Sequence, residues 1–94
     1  MNTVVILGRI VSFGDKSQDN VLVRTMTLEV PRAFANSDGE IENDKFTVEF
    51  WRGISEMIIE TLPLKSIIAV KGRLQSDKNG NCIIIAEKVT FIKK

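Results

Sequence analysis

The sequence predicts an all-β fold, a five-stranded barrel with one short helix between the third and fourth strands. Three observations lead there. Apolar and polar residues alternate in five runs, separated by clusters rich in Gly, Asn, Asp and Ser. The spacing turns helical once, after the third run. One helix cannot cover both faces of an open five-stranded sheet, whereas closing the sheet removes its exposed edges and lets the helix plug one end.

The first strand runs from about Asn2 to Phe13. Val4, Ile6 and Ile10 share one phase; Thr3, Val5, Leu7, Arg9 and Val11 share the other. Both phases are largely apolar, so both faces are expected to be covered, one of them by another subunit. Gly8 inside the strand suggests a bend or a close backbone approach. Gly14-Asp15-Lys16-Ser17-Gln18-Asp19-Asn20 reads as a turn. The second strand spans about Val21 to Val30, with Met26, Leu28 and Val30 alternating with Thr25, Thr27 and Glu29, and Pro31 weakens or ends its ladder. The polar loop from Ala35 to Glu40 leads to a third strand, about Asp44 to Trp51. There Phe46, Val48 and Phe50 take the core phase, and Lys45, Thr47, Glu49 and Trp51 the outer one.

Ile54, Met57, Ile58, Thr61 and Leu62 then fall at helical spacing, with Glu56 and Glu60 opposite, and Pro63 stops the helix. The fourth strand covers about Ile67 to Ser76, its Lys71, Arg73 and Gln75 opposite Ile68, Val70, Gly72 and Leu74. Asn79-Gly80 between two apolar runs signals a hairpin. The fifth strand covers about Cys82 to Ile92, and its phase slips near Glu87-Lys88, which a bulge would reconcile. Three strands, a helix and two strands is the order of the OB-fold barrel, whose face around strands two and three binds oligonucleotides or oligosaccharides. Residues 1–94 are expected to form a single such domain.

Composition narrows the function. The chain has 94 residues, 13 Lys and Arg, 12 Asp and Glu, and no His, for a net charge of +1. Without His, Ser-His-Asp and Cys-His catalysis are excluded, as are the common His-containing zinc sites. The single Cys82 forms no internal disulfide, which fits a reducing cytosol. The apolar runs are too short to span a membrane, and the N-terminus lacks a secretory signal pattern. A cytoplasmic protein is expected, with no membrane association, small-molecule substrate, cofactor or enzymatic activity. The loop Asp38-Gly39-Glu40-Ile41-Glu42-Asn43-Asp44 echoes a calcium loop, but Phe34 stands where the first ligand belongs and Lys45 where the closing Glu belongs. A solvated turn is the better reading, and no metal site is expected.

Three sets of residues remain as candidates for binding. Trp51 lies out of phase with the core, so it either stacks on a base or is covered by a partner subunit. Phe34, opening the polar loop, either folds back as a lid on the core or extends an aromatic platform. Arg9, Arg32, Lys45, Arg52, Lys71, Arg73 and Lys78 are either a solvated charged surface or cations that track phosphates. Glu49, in phase with Trp51, would oppose phosphate.

At these residues the sequence resembles the bacterial single-stranded DNA-binding proteins, especially the short forms of low-GC Gram-positive type. The resemblance covers essentially the whole chain. It is carried by Met1-Asn2-Thr3-Val4-Val5-Ile6-Leu7-Gly8-Arg9, Met26-Thr27-Leu28-Glu29-Val30-Pro31-Arg32 and the stretch from Phe46 to Glu56, followed by Val70-Lys71-Gly72-Arg73-Leu74-Gln75-Ser76 and Ala86-Glu87-Lys88-Val89-Thr90-Phe91. It implies an OB fold that binds single-stranded DNA without sequence preference and protects it in replication, recombination and repair. It also implies homo-oligomers paired through the first strand, usually tetramers rather than dimers.

Trp51 and Phe34 fall on family positions whose rings stack on bases. Lys45 stands at a third position, commonly aromatic, where a phosphate contact would replace stacking. The hairpin between strands four and five lacks the aromatic that longer family members carry. The sequence stops at Lys93-Lys94, short of the flexible tail and acidic tip of family members, so the resemblance implies either a naturally short, tail-less form or a truncated chain. The nearest alternative is a primosome-type replication accessory protein, a dimer acting mainly through protein partners. An oligosaccharide-binding or protein-docking OB module is a further one.

Overall fold

In the computed structural model, which describes residues 1–18, 21–50 and 62–94, the five alternating runs become five strands. They are β1 (Val4–Gln18), β2 (Val21–Pro31), β3 (Asn43–Phe50), β4 (Ile67–Ser76) and β5 (Cys82–Lys93). They close into a barrel in the order β1-β2-β3-β5-β4, the OB-fold architecture expected from the strand order. β1 pairs antiparallel with β4 through Val4–Arg9 and with β2 from Arg9 onward, so Arg9 stands where the strand changes partners. Closure is completed by the short parallel contact Val48↔Ile84 and Glu49↔Ile85. The helix expected at 54–62 falls almost entirely outside the described residues.

The core phase read from the sequence is the buried one. Ile10, Met26, Leu28, Val48, Phe50, Ile68, Val70, Ile84 and Ala86 form one buried apolar cluster, with Val4, Ile6, Phe13, Leu62 and Val89 packed against it. Phe46 shares that phase, opposite the buried Leu28, but remains 37% exposed. Gly8 marks a close approach, as its position in the strand suggested. A Cβ there would lie 2.7 Å from the Glu29 carbonyl oxygen and 2.9 Å from the Leu28 side chain. The bulge expected near Glu87-Lys88 is present: Lys71 pairs with Lys88 but Gly72 with Ala86, leaving Glu87 as the extra residue.

Two expectations are corrected. The stretch from Gly14 to Gln18 is strand, not turn. Its pairing with β2 continues through Asp15↔Arg24 to Gln18↔Val21, and Asp15 and Arg24 form an ion pair of 3.1 Å across the ladder. Opposite charges facing each other favour pairing even where the residue types favour turns. Glu49 is only 1% exposed, although it was placed on the outer face. At Glu49, β3 pairs with β2 on one side and β5 on the other, where Lys45 and Thr47 pair with β2 alone.

Candidate nucleic-acid interface

Alternation along β1, β2 and β3 builds one outward row. Lys45 stands opposite Glu29, and Glu29 opposite Arg9. Arg9 and Lys45 are exposed and Glu29 is half-buried, so two cations flank one carboxylate. Directly opposite unlike charges stabilise the pairing and leave the row with a net positive charge.

Phe34 lies in the loop between β2 and β3, past the last paired residues Pro31 and Asn43. Its ring is 84% exposed, so it does not fold back onto the core. The loop holding it is tightly built. The Arg32 amide donates to the Glu42 carbonyl at 2.8 Å, continuing the hairpin one step beyond Pro31↔Asn43. At the tip, the Asn36 amide donates to the Glu40 carbonyl at 2.8 Å, and the Gly39 amide to the Asn36 carbonyl at 3.0 Å. The Asn36 side-chain oxygen accepts from the Asp38 and Glu40 amides at 2.9 and 3.0 Å. Gly39 has a φ of 80°, a conformation glycine adopts without steric cost.

Arg32 is placed differently from the other cations. Its Nε donates to both Asp44 carboxylate oxygens at 3.2 Å, its Nη2 to Asp44 Oδ1 at 2.9 Å, and its Nη1 to Glu42 Oε2 at 2.7 Å. The hydrogen bond with Asp44, reinforced by the charges of Asp44 and Glu42, raises the Arg32 pKa above its ordinary value. The same hydrogen bond lowers that of Asp44. Glu42 and Asp44, which sequence reasoning weighed only as calcium ligands, therefore hold a guanidinium. Among the described residues no group of three or more His, Cys, Asp or Glu could hold a metal ion.

A second group of cations lies on β4 and β5. Lys71 faces Lys88 across the ladder, and both are exposed. Arg73 forms a looser ion pair with Glu87 at 3.6 Å. Lys78 is exposed in the hairpin between β4 and β5. Sequence reasoning passed over Lys88, because the bulge at Glu87 obscures the phase of β5. On β1, Val5 and Leu7 project outward and are 68% and 54% exposed. Trp51 and Arg52 lie outside the described residues, immediately past β3.

No protein-family model matches the chain. Curated relatives do. It is 35% identical to a single-stranded DNA-binding protein of Bacillus cereus over 103 aligned positions, covering 99% of this chain and 61% of that protein. It is 34% identical to single-stranded DNA-binding protein 2 of Listeria monocytogenes, covering 99% of this chain and 64% of that one. The chain thus spans somewhat under two thirds of the length of the curated relatives it matches.

Solved structures share the fold. A small single-stranded DNA-binding protein from Streptomyces coelicolor superposes with a TM-score of 0.74 at 16% identity, over 96% of this chain and 92% of that one. A Plasmodium falciparum protein of the same kind, solved in complex with single-stranded DNA, gives 0.73 at 17% identity, over 99% and 96%. Over nearly its whole length the chain is thus similar to bacterial single-stranded DNA-binding proteins.

Proposed function

We propose that this chain binds single-stranded DNA without sequence preference and protects it during replication, recombination and repair, as a cytoplasmic, non-enzymatic single OB domain. The observation that carries the reading is the exposed Phe34 ring on the braced loop joining β2 to β3, the two strands that with β1 carry the outward Arg9–Glu29–Lys45 row. Aromatic faces stack bases of any identity, and cations beside them track the phosphates and release counterions. The relatives named above, matched over nearly the whole chain, support it. In this reading Phe34 and Trp51 stack bases, while Arg9, Lys45, Arg52, Lys71, Arg73 and Lys78 meet phosphates.

The outward Val5 and Leu7 on β1 support assembly into a homo-oligomer; the preference for a tetramer over a dimer rests on the resemblance alone. Among the described residues, no helix is long and apolar enough to cross a membrane.

The test is a titration with a dT oligonucleotide at low salt, read by Trp51 fluorescence on material whose mass is fixed by light scattering. Binding should quench the indole, and log affinity should fall linearly with log salt. Trp51→Ala, followed by filter binding, should weaken affinity more than tenfold, the scale of about one lost base stack. Absence of quenching together with absence of filter retention would remove the reading.

A further inference from the structure

We infer that Arg32 is a positioning residue: with Glu42 and Asp44 it braces the loop between β2 and β3 so that Phe34 is presented to DNA already ordered. The inference rests on the single-strand-binding reading and replaces the phosphate contact that the sequence suggested for Arg32.

The geometry is specific. Phe34 sits midway between two anchors, Arg32 and Asn36. Both are tied to the same carboxylate: Glu42 Oε2 accepts from Arg32 Nη1 at 2.7 Å, and Glu42 Oε1 accepts from Asn36 Nδ2 at 3.0 Å. Asp44, on β3, takes the remaining edge of the guanidinium through three contacts of 2.9–3.2 Å. A planar donor fork spread over two acceptors fixes orientation as well as distance, which a lysine ammonium cannot do. The ring between the anchors makes none of the core contacts that would otherwise hold it, since it is 84% exposed. Its order must come from the backbone of the loop. A ring ordered before binding spares the complex the entropy of immobilising it.

Charge points the same way. Arg32 carries one positive charge against the two negative charges of Glu42 and Asp44 within hydrogen-bond distance. A phosphate approaching this guanidinium would meet a net negative cluster. Arg9 and Lys45, which flank only Glu29, carry no such surplus.

The test uses the full chain, a dT oligonucleotide and four substitutions, each checked for an unchanged melting temperature. Asp44→Asn separates the two roles by sign. Removing a negative charge from a polyanion site should tighten binding by simple electrostatics, whereas loss of the brace should weaken it about two- to tenfold, the scale of one mobile side chain. Arg32→Lys keeps the charge but breaks the fork, and should weaken binding like Arg32→Gln. Neither should alter the salt slope, which a lost phosphate contact would reduce by about 0.7. Adding Arg32→Gln to Phe34→Ala should cost nothing further, because the residues act as a unit.

In the free protein, Asp44→Asn should lower the backbone order of Ala33, Phe34 and Ala35 toward the flexible range, about 0.6 or less by NMR. Tighter binding by Asp44→Asn, a reduced slope in Arg32→Gln, or unchanged order in the free loop would each overturn the inference. Failure of the unaltered chain to bind dT would instead overturn the single-strand-binding reading, and leave the loop-order measurement to decide the brace.

Discussion

The two described hairpin loops of the barrel are closed by the same turn and differ in what stands behind it. Asn36 and Asp77 each accept, through a side-chain oxygen, from the amides two and four residues on: Asp38 and Glu40 in one case, Asn79 and Asn81 in the other. Each closes with an amide-to-carbonyl pair, Asn36 to Glu40 and Asp77 to Asn81. Each has glycine at the fourth position, Gly39 with a φ of 80° and Gly80 with a φ of 83°. Yet the Asp77 turn follows the end of β4 directly, at Ser76, and carries Lys78. The Asn36 turn sits at the end of an arm that leaves β2 at Pro31, carries Phe34, and is braced by Arg32. Turn chemistry is therefore generic in this chain, and in the proposed function it is the arm that sets one loop apart as a binding element.

The sharpest way to break that comparison is to remove what the arm carries. Phe34→Ala should weaken dT binding by about 1–3 kcal/mol, roughly five- to 150-fold, with the melting temperature unchanged because the ring buries little. An equal loss on replacing Lys78 by Gln would mean the two loops serve DNA alike.

The turns themselves give the next test. Gly39→Ala and Gly80→Ala each force a side chain into left-handed backbone, at about 1–2 kcal/mol. Neither added Cβ would meet another atom within 4 Å, so backbone strain alone sets the cost. The two variants should lose similar stability, several degrees of melting temperature for a domain of this size. Only Gly39→Ala should also weaken DNA binding, since only that turn holds an aromatic arm in place. Replacing Lys78 by Gln should change the salt slope by no more than about 0.7 and the stability not at all.

The contrast also explains what could be read from the sequence. Strand phase was legible because alternation is local: Met26, Leu28, Val48, Ile68 and Val70 are buried where the pattern put them. The Asn-Gly hairpin and the bulge at Glu87 were legible for the same reason. Pairing across the sheet was not. Residues 14–18 carry turn-type side chains, yet belong to β1 because β2 lies opposite them. Glu49 alternates outward and is nevertheless buried, where β3 meets both neighbours. Arg32 looked like any surface cation, because its partners lie ten and twelve residues away across a loop that has no strand pattern. Trp51 and Arg52, proposed from the sequence, fall outside the described residues and rest on that reading alone.

The smallest effect concerns the brace and pH. Asp44 has a folded-state pKa held below its ordinary value, chiefly by the hydrogen bond from Arg32; desolvation opposes this, and the Arg32 charge assists to a lesser degree. A carboxylate depressed in this way contributes stability that is complete above its unfolded value of about 3.9, and that is lost as pH falls through the lower folded value. The brace should therefore be constant from pH 7 down to about pH 5, and DNA affinity should show no dependence on Asp44 in that window. As pH falls through that lowered folded value the carboxylate protonates, Arg32 loses its main partner and the arm loosens. The pair is exposed to solvent, so the change in global stability should be slight and should shrink further in high salt. The direct measurement is an NMR titration of the Asp44 carboxyl carbon, whose midpoint should rise in Arg32→Gln. A midpoint that ignores the loss of Arg32 would show that the arm is held by its turn alone, and would erase the distinction between the two loops.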